Sequence, residues 1–321
     1  MSLVSEARAT LEDIHYAYRL LLGRKPDTQG HEAFKRLINE NPLPPRELAE
    51  YFLGSNEFRS RYNSEVVEVN LDGFVLMTRK DENDIGKTIR QTGLWEEHVT
   101  AAVRERLRSG DVFLDVGANI GYFTALAAHA VGTAGRVIAV EPMDKNLQLI
   151  YATLERNRFM NVQVHPFAAA DASCVVSMGT HGGSSNGEVV REWRHSERPL
   201  YAQARRLDEL LRDAGHIDVV KFDIEGYELH AWHGFELKLQ SDRPIVLTEF
   251  HPRCLRENGH VEPEAYGTVL LEYGATTVLH FDGTRSACEN EETLMRLWQR
   301  EDAALKTDGH AHLDLLVEPR G

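Results

Sequence analysis

The chain has 321 residues, 42% of them hydrophobic, enough to bury a substantial core in one large domain or in a large domain with a small companion. Its formal net charge of −14 argues against general nucleic-acid binding, because phosphate backbones reward an excess of lysine and arginine, though a local basic patch is compatible with it. No apolar stretch approaches the roughly 20 residues that span a bilayer, and MSLVSEARATLEDI lacks the basic start and apolar run of a signal peptide, so a cytoplasmic globular protein without a membrane span is expected.

Residues 7–62 carry apolar side chains at helical spacing in LEDIHYAYRLLL and ELAEYFLGSNEFRSRY, interrupted by GRKPDTQG and NENPLPP. A small helical domain over 1–64 is therefore expected, with a larger domain over 65–321. YRLLLGRKPDTQG followed by YFLGSNEF resembles the short helical repeat domain called DUF4214. One aspartate in GRKPDTQG cannot supply the six or more oxygens that calcium prefers, so the loop reads as a capped turn. VVEVNLDGFVLMTR then alternates as a hairpin does, and a helix runs through EEHVTAAVRERLRSG.

From there apolar runs alternate with helical patterns: VFLDVG and YFTALAAHAVG, RVIAVEP and KNLQLIYATLERNRF, VQVHPFAAA, LDELLRDAG and VVKFDIEG, PIVLTEF and PEAYGTVLLEYG, then TTVLHFD and a final HLDLLVEP. This is the pattern of an α/β fold, a parallel sheet covered on both faces. EVVREWRHSERPLYAQARR reads as an insertion loop, and REWRHSERP within it suits either a solvated loop or a lid. Cys174, Cys254 and Cys288 are too widely spaced for a metal pair or a disulfide framework. Trp95 and the aromatic residues of YGTVLLEY suit packing. His310 and His312 share one strand face without an evident partner.

In such a sheet ligands lie beyond the carboxyl ends of the strands, and the first strand-to-helix turn forms the floor. DVGANIGYFT occupies that place, with Gly117 and Gly121 able to bring main chain close to a ligand. A dinucleotide turn reads G-x-G-x-x-G. Here Asn119 stands at the middle glycine and Asp115 precedes the turn, which disfavours a pyrophosphate and suits a cationic amino-acid group. Glu141 closes the next strand in AVEP, about 20 residues on, where an acid accepts ribose hydroxyls. Asp171 in AAAD follows the third strand, where it could meet an adenine amino group. Ribose, adenine and positive charge without pyrophosphate describe S-adenosylmethionine.

DVGANIGYFT, AVEP, AAAD, VVKFDIEGYE and LTEFHP, in that order and with GLWEEH before them, resemble the FkbM family of class I S-adenosylmethionine-dependent methyltransferases. The resemblance implies a seven-stranded Rossmann-like sheet and O-methylation of hydroxyls on sugars, polyketides or glycolipids, so the expected partner is a small-molecule or glycan acceptor. It also implies that Asp115, Gly117, Asn119, Gly121 and the adjoining Tyr122 form the cofactor turn, with Glu141 as the ribose acid. An aliphatic hydroxyl needs a base or a metal to lose its proton. Asp223 and Glu225, placed on one face by strand alternation, and Glu249 and His251 at the next strand end are the catalytic candidates. Either His251 or Asp223 accepts the proton directly, the favoured course, or Asp223, Glu225 and Glu249 hold a magnesium ion. A nicotinamide-dependent oxidoreductase and a non-catalytic carbohydrate-binding or scaffold protein stand as rivals.

Overall fold

The inner strands of the central sheet bring apolar residues to both faces, and the two faces are covered separately. In β3 (Val112–Val116), Leu114 and Val116 join a core cluster with Val220, Phe222, Trp232, Phe250 and Tyr266, while Phe113 joins another with Phe123, Leu126, Val137, Val219 and Leu247. Burial on both sides explains why these strands read as continuous hydrophobic runs. The computed structural model describes residues 8–22, 25–55, 57, 65–82, 84–180, 187–189 and 200–320.

The chain divides into two compact units, Met1–Val66 with Arg79–Asp81, and Val67–Thr78 with Glu82–Gly321. The first holds helices Leu11–Leu21, Thr28–Glu40 and Pro45–Leu53 around Ile14, Tyr18, Leu48 and Phe52. Thr10 and Asp13 form a capping box on the first helix. Asp27 caps the second by accepting the Gly30 N–H at 2.8 Å, which makes the GRKPDTQG turn a helix cap in its described part.

The hairpin β1 (Val66–Asn70) and β2 (Val75–Arg79) turns over Asp72 and Gly73, and all of it except its end residues Val66 and Arg79 belongs to the second unit. Helices Ile85–Thr92 and Glu97–Arg106 lead into β3. There follow β4 (Arg136–Val140), β5 (Val162–His165), β6 (Ala168–Ala169), β7 (Cys174–Thr180), β8 (Gly187–Val189), β9 (Leu200–Arg205), β10 (Val219–Phe222), β11 (Ile245–Phe250), β12 (Gly274–Leu279), β13 (Arg285–Cys288) and β14 (Leu313–Pro319). The large sheet runs β13-β12-β14-β11-β10-β3-β4-β5. β11, β10, β3, β4 and β5 are parallel, and β14 inserts antiparallel between β11 and β12.

The described strands of this sheet number eight where seven were expected, the addition being β13, hairpinned onto β12. VQVHPFAAA is not one strand: Pro166 lacks the N–H needed to continue a ladder, and Ala168–Ala169 pair instead with β9 in a four-stranded sheet ordered β6-β9-β7-β8. Part of the expected insertion loop is thus β8 and β9. Residues 190–199, which include REWRHSERP, lie outside the described residues.

Candidate active site

β3 ends in a turn that only particular residues can make. Gly117 has φ +87°, and a Cβ there would overlap the Asp223 carbonyl oxygen, so the β3 and β10 turns touch through bare backbone. Asn119 takes the left-handed conformation at φ +50°, tolerable for Asn. Its N–H donates to Glu141 Oε2 at 2.9 Å, and its Oδ1 accepts the Ile120 N–H at 2.8 Å. Glu141 Oε1 accepts the Met143 N–H at 2.9 Å and Asn146 Nδ2 at 3.3 Å. Burial pushes the Glu141 carboxyl up to about 7 despite these donors.

A cavity of about 330 Å³ opens over these turns, a size that suits a small ligand. Its lining follows the strand order across the sheet. Phe167, Ala168 and Ala169 beyond β5, with Met178 and Val189, make an apolar end; Glu141 and Pro142 follow β4; Gly117–Asn119 follow β3; Asp223, Ile224 and Glu225 follow β10; Glu249 lies at the end of β11 with His251 just after the strand, and His312 lies just before β14. Trp95, Glu96, Tyr122 and Phe123 complete the wall.

The β10 to β14 side is crowded with acids. Lys221, the one lysine or arginine among the described lining residues, donates to Asp223 Oδ2 at 2.6 Å and lies 4.6 Å from the centre of the Phe123 ring. Burial opposes its charge, but Asp223, Glu96 and Asp115 outweigh that and hold the ammonium above the usual lysine range. Glu249 Oε1 is 3.4 Å from His312 Nδ1, while its Oε2 is buried without a hydrogen-bond partner among the described residues. Burial, then Asp223, Glu225, Glu228 and the neighbouring Asp314, raise its carboxyl well above the ordinary range. His251 is pushed down to about 4 by burial and by His312, and its Nδ1 accepts the Cys254 N–H at 3.4 Å, capping helix Pro252–Glu257.

Of the expected residues, Gly117, Asn119, Tyr122, Glu141, Asp223, Glu225, Glu249 and His251 line this one cavity. Asp115, Gly121 and Asp171 do not. Asp115 is 1% exposed beneath the turn, its Oδ2 accepting from Thr124 Oγ1 at 2.6 Å, so its carboxylate acts as a field from below rather than a wall. Gly121 starts helix Tyr122–Val131 at φ +89°. Asp171 falls past the switch into the second sheet, where it meets His230 Nδ1 at 3.1 Å.

β10 stops at Phe222, so Asp223 and Glu225 reach the cavity from a loop and not by strand alternation. Glu225 has φ +55°. Beneath that loop Glu228, unmarked by sequence reasoning, accepts the Ile224 and Gly226 N–H groups at 2.9 and 3.2 Å. Glu96 and Lys221 were also missed, and His312, read as sharing a strand face with His310 and lacking an evident partner, instead precedes β14 and meets Glu249. Among the described residues no three or more His, Cys, Asp or Glu side chains are grouped to hold a metal ion, so the arrangement lends the magnesium alternative no support.

Residues 115–273 match the profile of the family described as methyltransferase FkbM domain, which leaves the helical unit unassigned. No curated protein matches the chain. Solved structures similar to it include the methyltransferase FkbM of Methylobacillus flagellatus KT, at 18% identity over 78% of this chain and a TM-score of 0.36; this chain spans only 53% of that one. Another is the O-methyltransferase TomG of Streptomyces achromogenes, involved in tomaymycin synthesis and solved with S-adenosylmethionine, at 11% identity over 76% of this chain and 92% of that one, TM-score 0.40. A third is the Pyrococcus abyssi tRNA (uracil-54, C5)-methyltransferase with S-adenosylhomocysteine, at 11% identity over 81% and 45%, TM-score 0.39.

Proposed function

The chain carries a methyltransferase FkbM domain over residues 115–273, and from that premise we propose that it is an S-adenosylmethionine-dependent O-methyltransferase acting on a hydroxyl of a sugar or glycosylated small molecule. The observation that carries this reading is one cavity that changes, in strand order, from an apolar end through Glu141 to an acidic end. The apolar residues Phe167, Met178 and Val189 suit a flat base, Glu141 suits ribose hydroxyls, and the acids beyond β10 suit positive charge. When bound, the cofactor supplies an electrophilic methyl group beside those acids.

The acceptor hydroxyl must lose its proton as the new carbon–oxygen bond forms and the carbon–sulfur bond breaks. Asp223 is committed to Lys221, and His251, pushed down to about 4, is a weak base whose Nδ1 lone pair already accepts its helix-cap N–H. Glu249 Oε2 is buried, unpartnered and on the cavity wall, so it takes the proton, while His312 stands against its other oxygen. Its raised pKa makes it a stronger base once ionised, and a cation in the cavity favours that ionised form. Asp223 and Glu225 then contribute charge near the transferred group, and alignment of oxygen, carbon and sulfur contributes about 7–11 kcal/mol of barrier lowering.

Calorimetric titration with S-adenosylhomocysteine and, separately, with NAD tests the reading. Saturable binding of the homocysteine compound with none of NAD is expected; the reverse pattern would refute it.

A further inference from the structure

Glu96 is set into the cavity by a strained stretch of main chain. It has φ +42° and ψ +70°, a left-handed conformation that is uncommon for a residue with a long side chain. Two contacts hold it there: the Trp95 carbonyl accepts from Thr100 Oγ1 at 2.7 Å, and the Glu96 carbonyl accepts the Thr100 N–H at 2.8 Å. Two residues on, His98 Nε2 meets Asp314 Oδ2 at 2.6 Å and ties helix Glu97–Arg106 to β14. Glu96 Oε2 is consequently buried with no hydrogen-bond partner among the described residues, although it lines an open cavity. A buried carboxylate oxygen without a donor is costly, and such an arrangement points to a donor brought by a ligand.

The position of Glu96 narrows what that donor is. The charges that act on it are those of Asp314, Lys221, Asp223 and Glu225, which place it over the β10 and β14 side, opposite the apolar end. Lys221 is near enough to favour its charge, but its hydrogen bond goes to Asp223 and leaves Glu96 Oε2 without a donor among the described residues. With a base at Phe167–Ala169 and a ribose at Glu141, the amino-acid end of the proposed cofactor extends toward β3 and β10. Asp115, the acid first expected to meet that cation, is shut beneath the turn. Glu249 lies a strand further on, beside His312.

We propose that Glu96 binds the α-ammonium group of the S-adenosylmethionine amino-acid moiety, accepting its N–H at Oε2 and taking the part expected of Asp115. The proposal rests on the methyltransferase reading and adds a cofactor ligand from outside residues 115–273. Burial, followed by the charge of Asp314, raises the Glu96 carboxyl well above its ordinary range, which is consistent with a site completed by a cation.

The test is a cycle of two proteins and two probes. Wild type and Glu96→Gln are titrated calorimetrically with S-adenosylhomocysteine and with its deamino analogue, which keeps the carboxylate and lacks the ammonium. Glu96→Gln is expected to weaken S-adenosylhomocysteine by about 10- to 100-fold, the worth of a charge-assisted hydrogen bond, and to leave the analogue within about twofold. Equal weakening of both probes, or of neither, overturns the assignment. Methylthioadenosine, which lacks the whole amino-acid end, is titrated as a check that the variant keeps its nucleoside site. If wild type binds none of the three, the methyltransferase reading falls, and the assignment of Glu96 falls with it.

Discussion

Glu141 shows how one side chain ties the glycine turn to the cavity and makes the fold sensitive to pH. Its two oxygens take the Asn119 and Met143 N–H groups, so the carboxylate fixes the turn that carries it. Its folded pKa of about 7 lies above the ordinary value of 4.5, so the folded chain binds the extra proton more tightly between those values. That contribution is complete below pH 4.5 and is lost as pH rises through about 7, amounting to on the order of 3 kcal/mol. The melting temperature of the wild type should therefore decline between pH 5 and pH 8. Glu141→Gln should show a shallower decline and a lower melting temperature at pH 5, since its amide NH₂ must face a backbone donor. A variant with an undiminished slope would assign the pH dependence elsewhere, Glu228, also raised to about 7, being the next group to substitute. Glu141 was legible in the sequence because a strand end is a local feature. Glu96 was not: what marks it is its approach to Lys221, Asp223 and Asp314, residues far along the chain that only the folded sheet brings near.

At the scale of elements, the loop between β10 and helix Glu228–His233 decides where Asp223 and Glu225 sit. Gly226 is its tightest point, at φ +98°, where a Cβ would overlap the Cys254 carbonyl of helix Pro252–Glu257. Its N–H also donates to Glu228 Oε1 at 3.2 Å. Gly226→Ala should lower stability by more than the roughly 1–2 kcal/mol of a left-handed residue alone, because the contact displaces backbone and not a flexible side-chain tip. Chemical denaturation gives the measurement, and a loss below 1 kcal/mol would mean the two elements separate freely. A glycine in DIEGYE permits a sharp exit from a strand, but the Cys254 backbone that makes it obligatory is brought there only by the fold. The second sheet could not be read in advance. β7, β8 and β9 bury Val176, Met178, Val189 and Ala204, a small apolar set scattered among polar residues, which lacks the dense alternation of the main strands. Asp171 was misplaced for the same reason, since a strand ending at His165 instead of Ala170 moves everything after it off the sheet.

At the scale of the molecule, the match to residues 115–273 covers less than the cavity needs. Trp95 and Glu96 precede it, and His312 follows it, immediately before the strand that inserts between β11 and β12. The described lining nevertheless runs only from Asp84 to His312, entirely within the second compact unit. The first unit has its own core, Ile14, Tyr18, Leu48 and Phe52 being at most 3% exposed, and its own helix caps, so its stability does not depend on the cavity residues. Removing residues 1–64 should thus leave S-adenosylhomocysteine affinity within about twofold of the full chain, because no described group of the lining is lost and affinity follows contacts. Calorimetry on the chain beginning at Glu65 measures it, with circular dichroism confirming that the α/β unit is folded. A folded fragment that no longer binds would show that the helical unit shapes the cavity, and would move the unit from an appendage to a part of the site.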